Sequence, residues 1–311
     1  MPSEFEIIRR HFARPAQRAV LGVGDDAALL RPAAGMELAV STDLLIEGRH
    51  FRAGAEARKL GHKALAVNLS DMAAMGATPR WATLALALPK ADDAWLAAFA
   101  EGFYALADRF GVDLVGGDTT RGPALAICVT ILGEVPAGRA LRRSGAAPGD
   151  DVWVSGELGG AAYALAHSKA TAAAKRLDEP EPRVALGERL LGIASAAIDV
   201  SDGFAQDLGH ILEASGVGAI VEWEALPSAP ELKKLHDKKQ KAKIILSGGD
   251  DYELVFTAKK KQRDAIGALA KELALPLTRV GAVEKGNPNL SVVDRHRKPV
   301  PVGPGFDHFG K

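Results

Sequence analysis

The stretch VPAGRALRRSGAAPGDD, residues 135–151, is rich in Gly, Pro and Arg and keeps neither a two-residue nor a 3.6-residue apolar period. A stretch of that kind reads as a crossing between domains, which puts a boundary near residue 140 and predicts domains over 1–140 and 141–311. On its N-terminal side, apolar runs ending in polar loops predict strands at about 37–41, 81–88, 113–116 and 124–134. Helical patterns fill 56–77 and 92–111; the second is apolar at Trp95, Phe99, Phe103, Leu106 and Phe110 and closes on Gly111. On the C-terminal side a second set follows, with strands near 151–155, 196–200, 219–224, 243–247, 252–257 and 277–283 and helices near 159–168, 183–194, 203–215 and 261–273. Strands alternating with helices place the chain in the α/β (α+β) class.

Composition narrows the partners. The 311 residues are 47% apolar, enough for a large core without disulfides, and Cys128 has no second cysteine to pair with. Lys plus Arg and Asp plus Glu balance at 39 each, so no overall field favours nucleic acid or an anionic membrane. The basic run KKLHDKKQKAK, 233–243, has no interleaved aromatic to stack bases and reads as a solvated helix end or loop. The N-terminal MPSEFEIIRRHFARP mixes charge into its apolar positions, unlike a secretory signal, and the apolar WATLALALP at 81–89 is far short of the roughly 20 residues a bilayer requires. The expectation is a soluble cytoplasmic protein with no membrane or nucleic-acid partner.

The carboxylates carry the chemistry. GVGDDAALL, 22–30, sets Asp25 beside Asp26; Asp43 ends LAVSTD, Asp118 ends LVGGD, and Asp199 and Asp202 end AAIDVSD. Asp71 lies in NLSDMAAMGA with no nearby base, and Asp250 and Asp251 repeat the doublet after two glycines. Each aspartate alone is a common turn former or cap. Several at successive strand ends, flanked by Gly, Ser and Thr, would repel one another by several kcal/mol if brought together at low dielectric. Hard divalent cations relieve that repulsion. Mg²⁺ takes such oxygen donors together with substrate phosphates, whereas no His/Cys cluster suits zinc. Neither a G-x-x-x-x-G-K-[ST] loop nor protein-kinase H-R-D and D-F-G motifs occur, so ATP would have to be held through metals and backbone glycines. GELGGAAYAL, 156–165, reads as a glycine turn opening a helix, more a tight turn than an anion site.

GDDAALL, STDLLIEGRHF, KALAVNLSDMAAMGATP, GGDTTRGP, RSGAAPGD, IDVSDGFAQDLGHI, SGGDDYELVFT and the terminal FDHF follow one another along nearly the whole chain. In that order they resemble the thiamine-monophosphate kinases, of the aminoimidazole-ribonucleotide-synthetase-like superfamily. The resemblance implies a two-domain fold whose N-terminal sheet forms a homodimer interface and whose C-terminal α/β domain closes over the active site. It implies transfer of the γ-phosphoryl group of ATP to thiamine monophosphate, assisted by several Mg²⁺ ions and without a catalytic side-chain base. By motif, Asp26, Ser41, Thr42, Asp43, Asp71, Asp118, Asp199 and Asp202 would be metal ligands. Tyr104, Gly117, Asp118, Arg143 and Ser201 would contact ATP, and His50, Asp250 and Phe306 the thiamine phosphate. Two positions depart from the pattern: the usual GGEDYEL reads GGDDYEL, a carboxylate shorter by one methylene at Asp250, and the aromatic before DHF is Phe306, which stacks but donates no hydrogen bond.

Two alternatives remain from the residues alone. One is another ATP-dependent synthetase of the superfamily, although a selenophosphate synthetase would be expected to carry a reactive Cys near its amino terminus, and Cys128 reads as mid-strand. The other is a non-catalytic protein that binds Mg-nucleotide or thiamine phosphate, for which unused clustered carboxylates would be an electrostatic cost.

Overall fold

The computed structural model describes residues 3–167, 171–303, 305 and 306. The chain divides into two compact units, Met1–Met72 with Ala77–Gly138, and Ala73–Gly76 with Arg139–Lys311.

The first unit opens with α1 (Glu4–Ile7), capped by a reciprocal Ser3–Glu6 pair and running straight into a π-helical turn over Ile8–Phe12. Then come β1 (Met36–Ile46), α2 (Ala57–Met75), β2 (Thr78–Leu88), α3 (Asp93–Phe110), β3 (Asp113–Arg121) and β4 (Ala126–Pro136). The helix α3 begins where the Asp92 carboxylate accepts the N–H groups of Ala94 and Trp95 and ends at Gly111 in the left-handed region. The four strands form one sheet in the order β1-β4-β2-β3, antiparallel except for the parallel pair β2/β3. Trp81, Leu84, Leu86, Ile127, Val129 and Ile131 are buried in it, while Phe99 stacks between Trp95 and Phe103 within α3.

The edge strand β1 alternates. Ala39, Ser41, Asp43 and Leu45 are sheltered, whereas Leu38, Val40, Thr42 and Leu44 are exposed. Both β1 and β3 run on past the residues expected to end them. Asp43 pairs with Val129 and Asp118 with Ala85, so these aspartates lie within strands rather than at strand ends, because the eleven-residue β4 and β2 continue the ladder beside them.

The second unit holds β5 (Asp151–Ser155), α4 (Gly160–Ala166), α5 (Thr171–Asp178), α6 (Val184–Leu190), β6 (Ala194–Asp199), α7 (Phe204–Ser215), β7 (Gly218–Glu222), α8 (Lys238–Ser247), β8 (Leu254–Ala258), α9 (Arg263–Glu272), β9 (Leu277–Glu284) and β10 (Asn289–Val293). Its six-stranded sheet has the order β10-β7-β9-β5-β8-β6, parallel only between β10 and β7. Val152, Val154, Ile198, Phe204, Leu208, Ile211, Val255 and Val280 share its core.

The strand expected at 243–247 is instead the end of α8. The Asp237 carboxylate caps that helix on the N–H groups of Lys239 and Gln240, and the apolar Ile244-Ile245-Leu246 forms its buried last turn. The helices α1 and α5 and the strand β10 went unread in the sequence. Among the described residues no helix is long and apolar enough to cross a membrane.

Candidate active site

In the first unit the β2/β3 pair carries an irregularity between Ala82 and Thr83, which leaves Val115 without a partner in the register. Just beyond it, Gly117 passes so close to the Leu84 carbonyl, at φ 152°, that a Cβ would strike it. Gly116, Gly117, Asp118 and Thr119 line one side of a cavity of about 780 Å³, with Asp25 and Asp26. Apolar residues also line it, among them Phe5, Ile8, Phe12, Val23, Leu84 and Leu114. A wall that is aromatic and aliphatic on one part and acidic and glycine-rich on another matches a ligand with a flat apolar ring and an anionic tail. Three sequence-predicted residues, Asp26, Gly117 and Asp118, therefore share one cavity. The opening doublet is partly satisfied locally, since the Asp25 carboxylate accepts the Asp26 N–H at 2.8 Å.

Beside it in sequence, Ser41 Oγ donates to Asp71 Oδ2 at 2.5 Å and joins β1 to α2. Asp43 stands on the same sheltered side of β1 as Ser41. Thr42 turns to the other face, where its hydroxyl meets that of Thr130 at 2.8 Å, so its side chain is not brought to Asp71. The Nδ1 atom of His50 accepts the Ile46 N–H at 3.0 Å, which leaves the neutral ring's proton on Nε2.

Tyr104, expected at ATP, is buried at 4% exposure, and its hydroxyl donates to the Phe12 carbonyl at 2.7 Å. Arg14 lies over its ring, 3.5 Å from the centroid. Burial pushes the phenol up to about 12. Its hydroxyl thus holds the N-terminal segment that walls the cavity.

In the second unit three distant segments come together. Gly203, at φ 125°, turns the chain out of β6 into α7. The loop before it is gripped by Asp207, a residue sequence reasoning missed: its Oδ2 accepts the N–H groups of Ser201, Asp202 and Gly203, each at 3.1 Å. The signal was present as an aspartate four residues after a glycine at the start of a helix, the position of a first-turn acid. Burial, then the charges of Asp199 and Asp202, push the Asp207 carboxyl up to about 7 against the pull of those amides. The Ser201 carbonyl accepts the Asp250 N–H at 2.9 Å, and the Asp202 carbonyl accepts the Phe306 N–H at 3.0 Å. Metal, nucleotide and substrate candidates Asp202, Ser201, Asp250 and Phe306 are thereby tied backbone to backbone.

Asp250 and Tyr252 both carry positive φ, 65° and 50°, an uncommon state for residues with side chains. The Tyr252 hydroxyl donates to Asp250 Oδ1 at 3.0 Å, while Tyr252 N–H is fixed by the Val200 carbonyl. Asp251 turns the other way and accepts the Gly159 N–H at 2.7 Å, so the glycine turn that opens α4 already has an acceptor for that N–H. Burial pushes Asp251 up to about 8, with Glu253 and Asp250 adding repulsion and the Gly159 and Ala161 amides opposing it. Arg143 is exposed, and its carbonyl accepts Ser215 Oγ at 3.3 Å. The rest of the terminal FDHF motif lies outside the described residues.

Among the described residues no group of three or more His, Cys, Asp or Glu could by itself hold a metal ion. The donors occur in smaller sets of oxygens: Asp26 with Asp118 along the cavity, and Ser41 with Asp71. Such sets fit Mg²⁺, which pairs one or two carboxylates with waters and substrate phosphates, and do not fit zinc.

Two separate α/β units, with a glycine-walled cavity and oxygen-only donors, define a class found in comparison with known proteins. Residues 24–135 match the family model of the AIR synthase related protein, N-terminal domain, and residues 147–293 that of its C-terminal domain. Within that class, the thiamine-monophosphate kinase of Salmonella typhimurium is 44% identical over 98% of both chains, and that of Bacillus subtilis is 34% identical over 98% of this chain and 99% of its own. The crystal structure of thiamine-monophosphate kinase from Stenotrophomonas maltophilia superposes with a TM-score of 0.84 at 48% identity, covering 92% of this chain and 94% of that one. AaThiL complexed with AMPPCP and TMP gives 0.78 at 30% identity, covering 90% and 89%. The chain belongs to the thiamine-monophosphate kinase family.

Proposed function

We propose that this chain transfers the γ-phosphoryl group of ATP directly to the phosphate of thiamine monophosphate, forming thiamine diphosphate and ADP. The observation that carries the reading is the cavity of the first unit, lined by Asp26, Gly117 and Asp118 together with apolar residues, in a chain 30% identical to a protein solved with AMPPCP and TMP. A phosphate oxygen of the acceptor attacks the γ-phosphorus, and the bond to the bridging oxygen breaks, its electron pair leaving with ADP. The acceptor monoester, with a second pKa near 6, is mostly dianionic at neutral pH, so no side chain has to remove a proton. What remains is to align two polyanions. Mg²⁺, when bound, supplies the positive charge between them, and Asp26, Ser41, Thr42, Asp43, Asp71, Asp118, Asp199 and Asp202 are the residues assigned to hold it.

The apolar wall takes the base; Gly117 is assigned a main-chain contact and Ser201 a hydroxyl contact to the nucleotide. Arg143 is assigned a bidentate grip on phosphate. Tyr104 acts on the nucleotide through the Phe12 segment. His50, Asp250 and Phe306 are assigned to thiamine monophosphate, Phe306 by stacking and His50 through its Nε2 proton. Residues 1–140 form the nucleotide-binding and dimerising part, and 141–311 supply the further ligands and the acceptor contacts. The exposed apolar row Leu38, Val40 and Leu44 on the edge strand β1 supports a homodimer. A cytoplasmic location completes the proposal. Transfer from ATP made chiral at the γ-phosphorus tests the direct step: inversion is expected, and retention would establish a phosphorylated enzyme instead.

A further inference from the structure

The first turn of α7 grips two pieces of chain at once. Asp207 holds residues 201–203 through three N–H groups on a single carboxylate oxygen. Its neighbour Gln206 donates from Nε2 to the Phe306 carbonyl at 3.2 Å. The tail lies flat against Gln206 at Gly305, where a Cβ would collide with the Gln206 side chain. Further back, Ser247 Oγ donates to the Gly303 carbonyl at 2.9 Å, and a Cβ on Gly203 would press on the Ser247 backbone. Loop 201–203, segment 247–250 and residues Gly303, Gly305 and Phe306 are thus held together around one helix start. Neither Gln206 nor Asp207 is needed as a ligand in this arrangement.

We propose that Gln206 and Asp207 are positioning residues for the acceptor subsite. Asp207 fixes the loop whose carbonyls dock Asp250 and Phe306 and which carries the assigned metal ligand Asp202, and Gln206 fixes the segment that carries the Phe306 ring. Metal binding and thiamine-phosphate binding in the second unit are therefore coupled through one loop. This rests on the kinase reading above.

The test is steady-state kinetics on the full chain, varying thiamine monophosphate, ATP and Mg²⁺ in turn. Gln206→Ala is expected to raise the KM for thiamine monophosphate about three- to tenfold, the range of one lost hydrogen bond, while the KM for ATP stays put. Asp207→Ala is expected to raise the acceptor KM and the half-saturating Mg²⁺ concentration together. Asp207→Asn should recover most of that loss, because one amide oxygen can accept the same three N–H groups. If Asp207 were itself a metal ligand, Asn would fail as badly as Ala, and that result overturns the positioning role. An unchanged acceptor KM in Gln206→Ala overturns the role of Gln206. Should Asp207→Ala not fold, the Asn and Gln206 variants still decide the matter. Absence of turnover in the wild-type chain would instead bring down the kinase reading and this inference with it.

Discussion

Tyr104→Phe removes one oxygen and nothing else. That oxygen donates to the Phe12 carbonyl at 2.7 Å, between residues that are each 4% exposed, so water cannot replace it. The loss leaves a buried carbonyl unsatisfied, at a cost of about 1–3 kcal/mol. Among the other polar ties of the segment, His11 Nε2 meets Asp93 Oδ1 at 2.9 Å, and Arg10 to Asp93 and Arg14 to Asp108 are exposed ion pairs worth about 0–1 kcal/mol each. The hydroxyl is therefore a buried polar hold on a segment that contributes Phe5, Ile8, Arg9, Phe12 and Ala13 to the cavity wall. If that wall binds the base, each 1.4 kcal/mol lost from its docking raises the KM for ATP about tenfold. The assay is the ATP KM of Tyr104→Phe at saturating thiamine monophosphate, alongside the rate of trypsin cleavage after Arg9 and Arg10. Both should rise, and the acceptor KM should not. An ATP KM within twofold of wild type, with faster cleavage, would refute the reasoning, since the segment would then be loosened without consequence for the nucleotide.

Asp251, pushed up to about 8 by burial, binds a proton in the folded state that the unfolded chain has lost above about pH 4. Its protonated form therefore favours the fold at low pH, and stability falls as pH rises toward 8, by at most about 1.4 kcal/mol per pH unit. Asp251→Asn should flatten the dependence of urea midpoints between pH 5 and 8; an unaltered slope would assign it to other groups. Arg183 holds Glu253 by two hydrogen bonds, Nε to Oε2 at 2.7 Å and Nη2 to Oε1 at 2.5 Å, with the carboxylate 6% exposed. Arg183→Met should destabilise by about 3–5 kcal/mol in chemical unfolding, and adding Glu253→Gln should restore part of it; a loss under about 0.5 kcal/mol would show the pair to be solvated. Val40→Asp puts a charge in the exposed apolar row of β1, 59% exposed in the single chain. Sedimentation should show the proposed dimer for the unaltered chain and a monomer for the variant; a dimer in both would place the interface elsewhere, and a monomer in both would contradict the proposed dimer.

Much of this was readable before any coordinates. The long helix α3 announced its C-terminal end through Gly111. What misled was the assumption that an aspartate before polar residues ends a strand. Asp43 and Asp118 continue their ladders because partner strands of eleven residues run beside them, and a single sequence does not display its partner's length. For the same reason Ile244-Ile245-Leu246 looked like a strand: a short buried run has no period, and only the cap at Asp237 reveals the helix. Motif order found Asp26, Gly117 and Asp118 together, and Asp250 and Phe306 about one loop. It did not find Asp207, whose importance lies in three backbone amides that no residue letter encodes, nor that the Tyr104 hydroxyl is spent on Phe12.

Product formation that depends on divalent ions is the most direct consequence of assigning these aspartates to Mg²⁺. Purified chain with ATP, thiamine monophosphate and Mg²⁺ should yield thiamine diphosphate and ADP one for one, with no product when Mg²⁺ is chelated and at least a hundredfold less, on the order of 3 kcal/mol in transition-state stabilisation, for Asp71→Asn. ADP released without thiamine diphosphate, or full turnover in the presence of chelator, would contradict it.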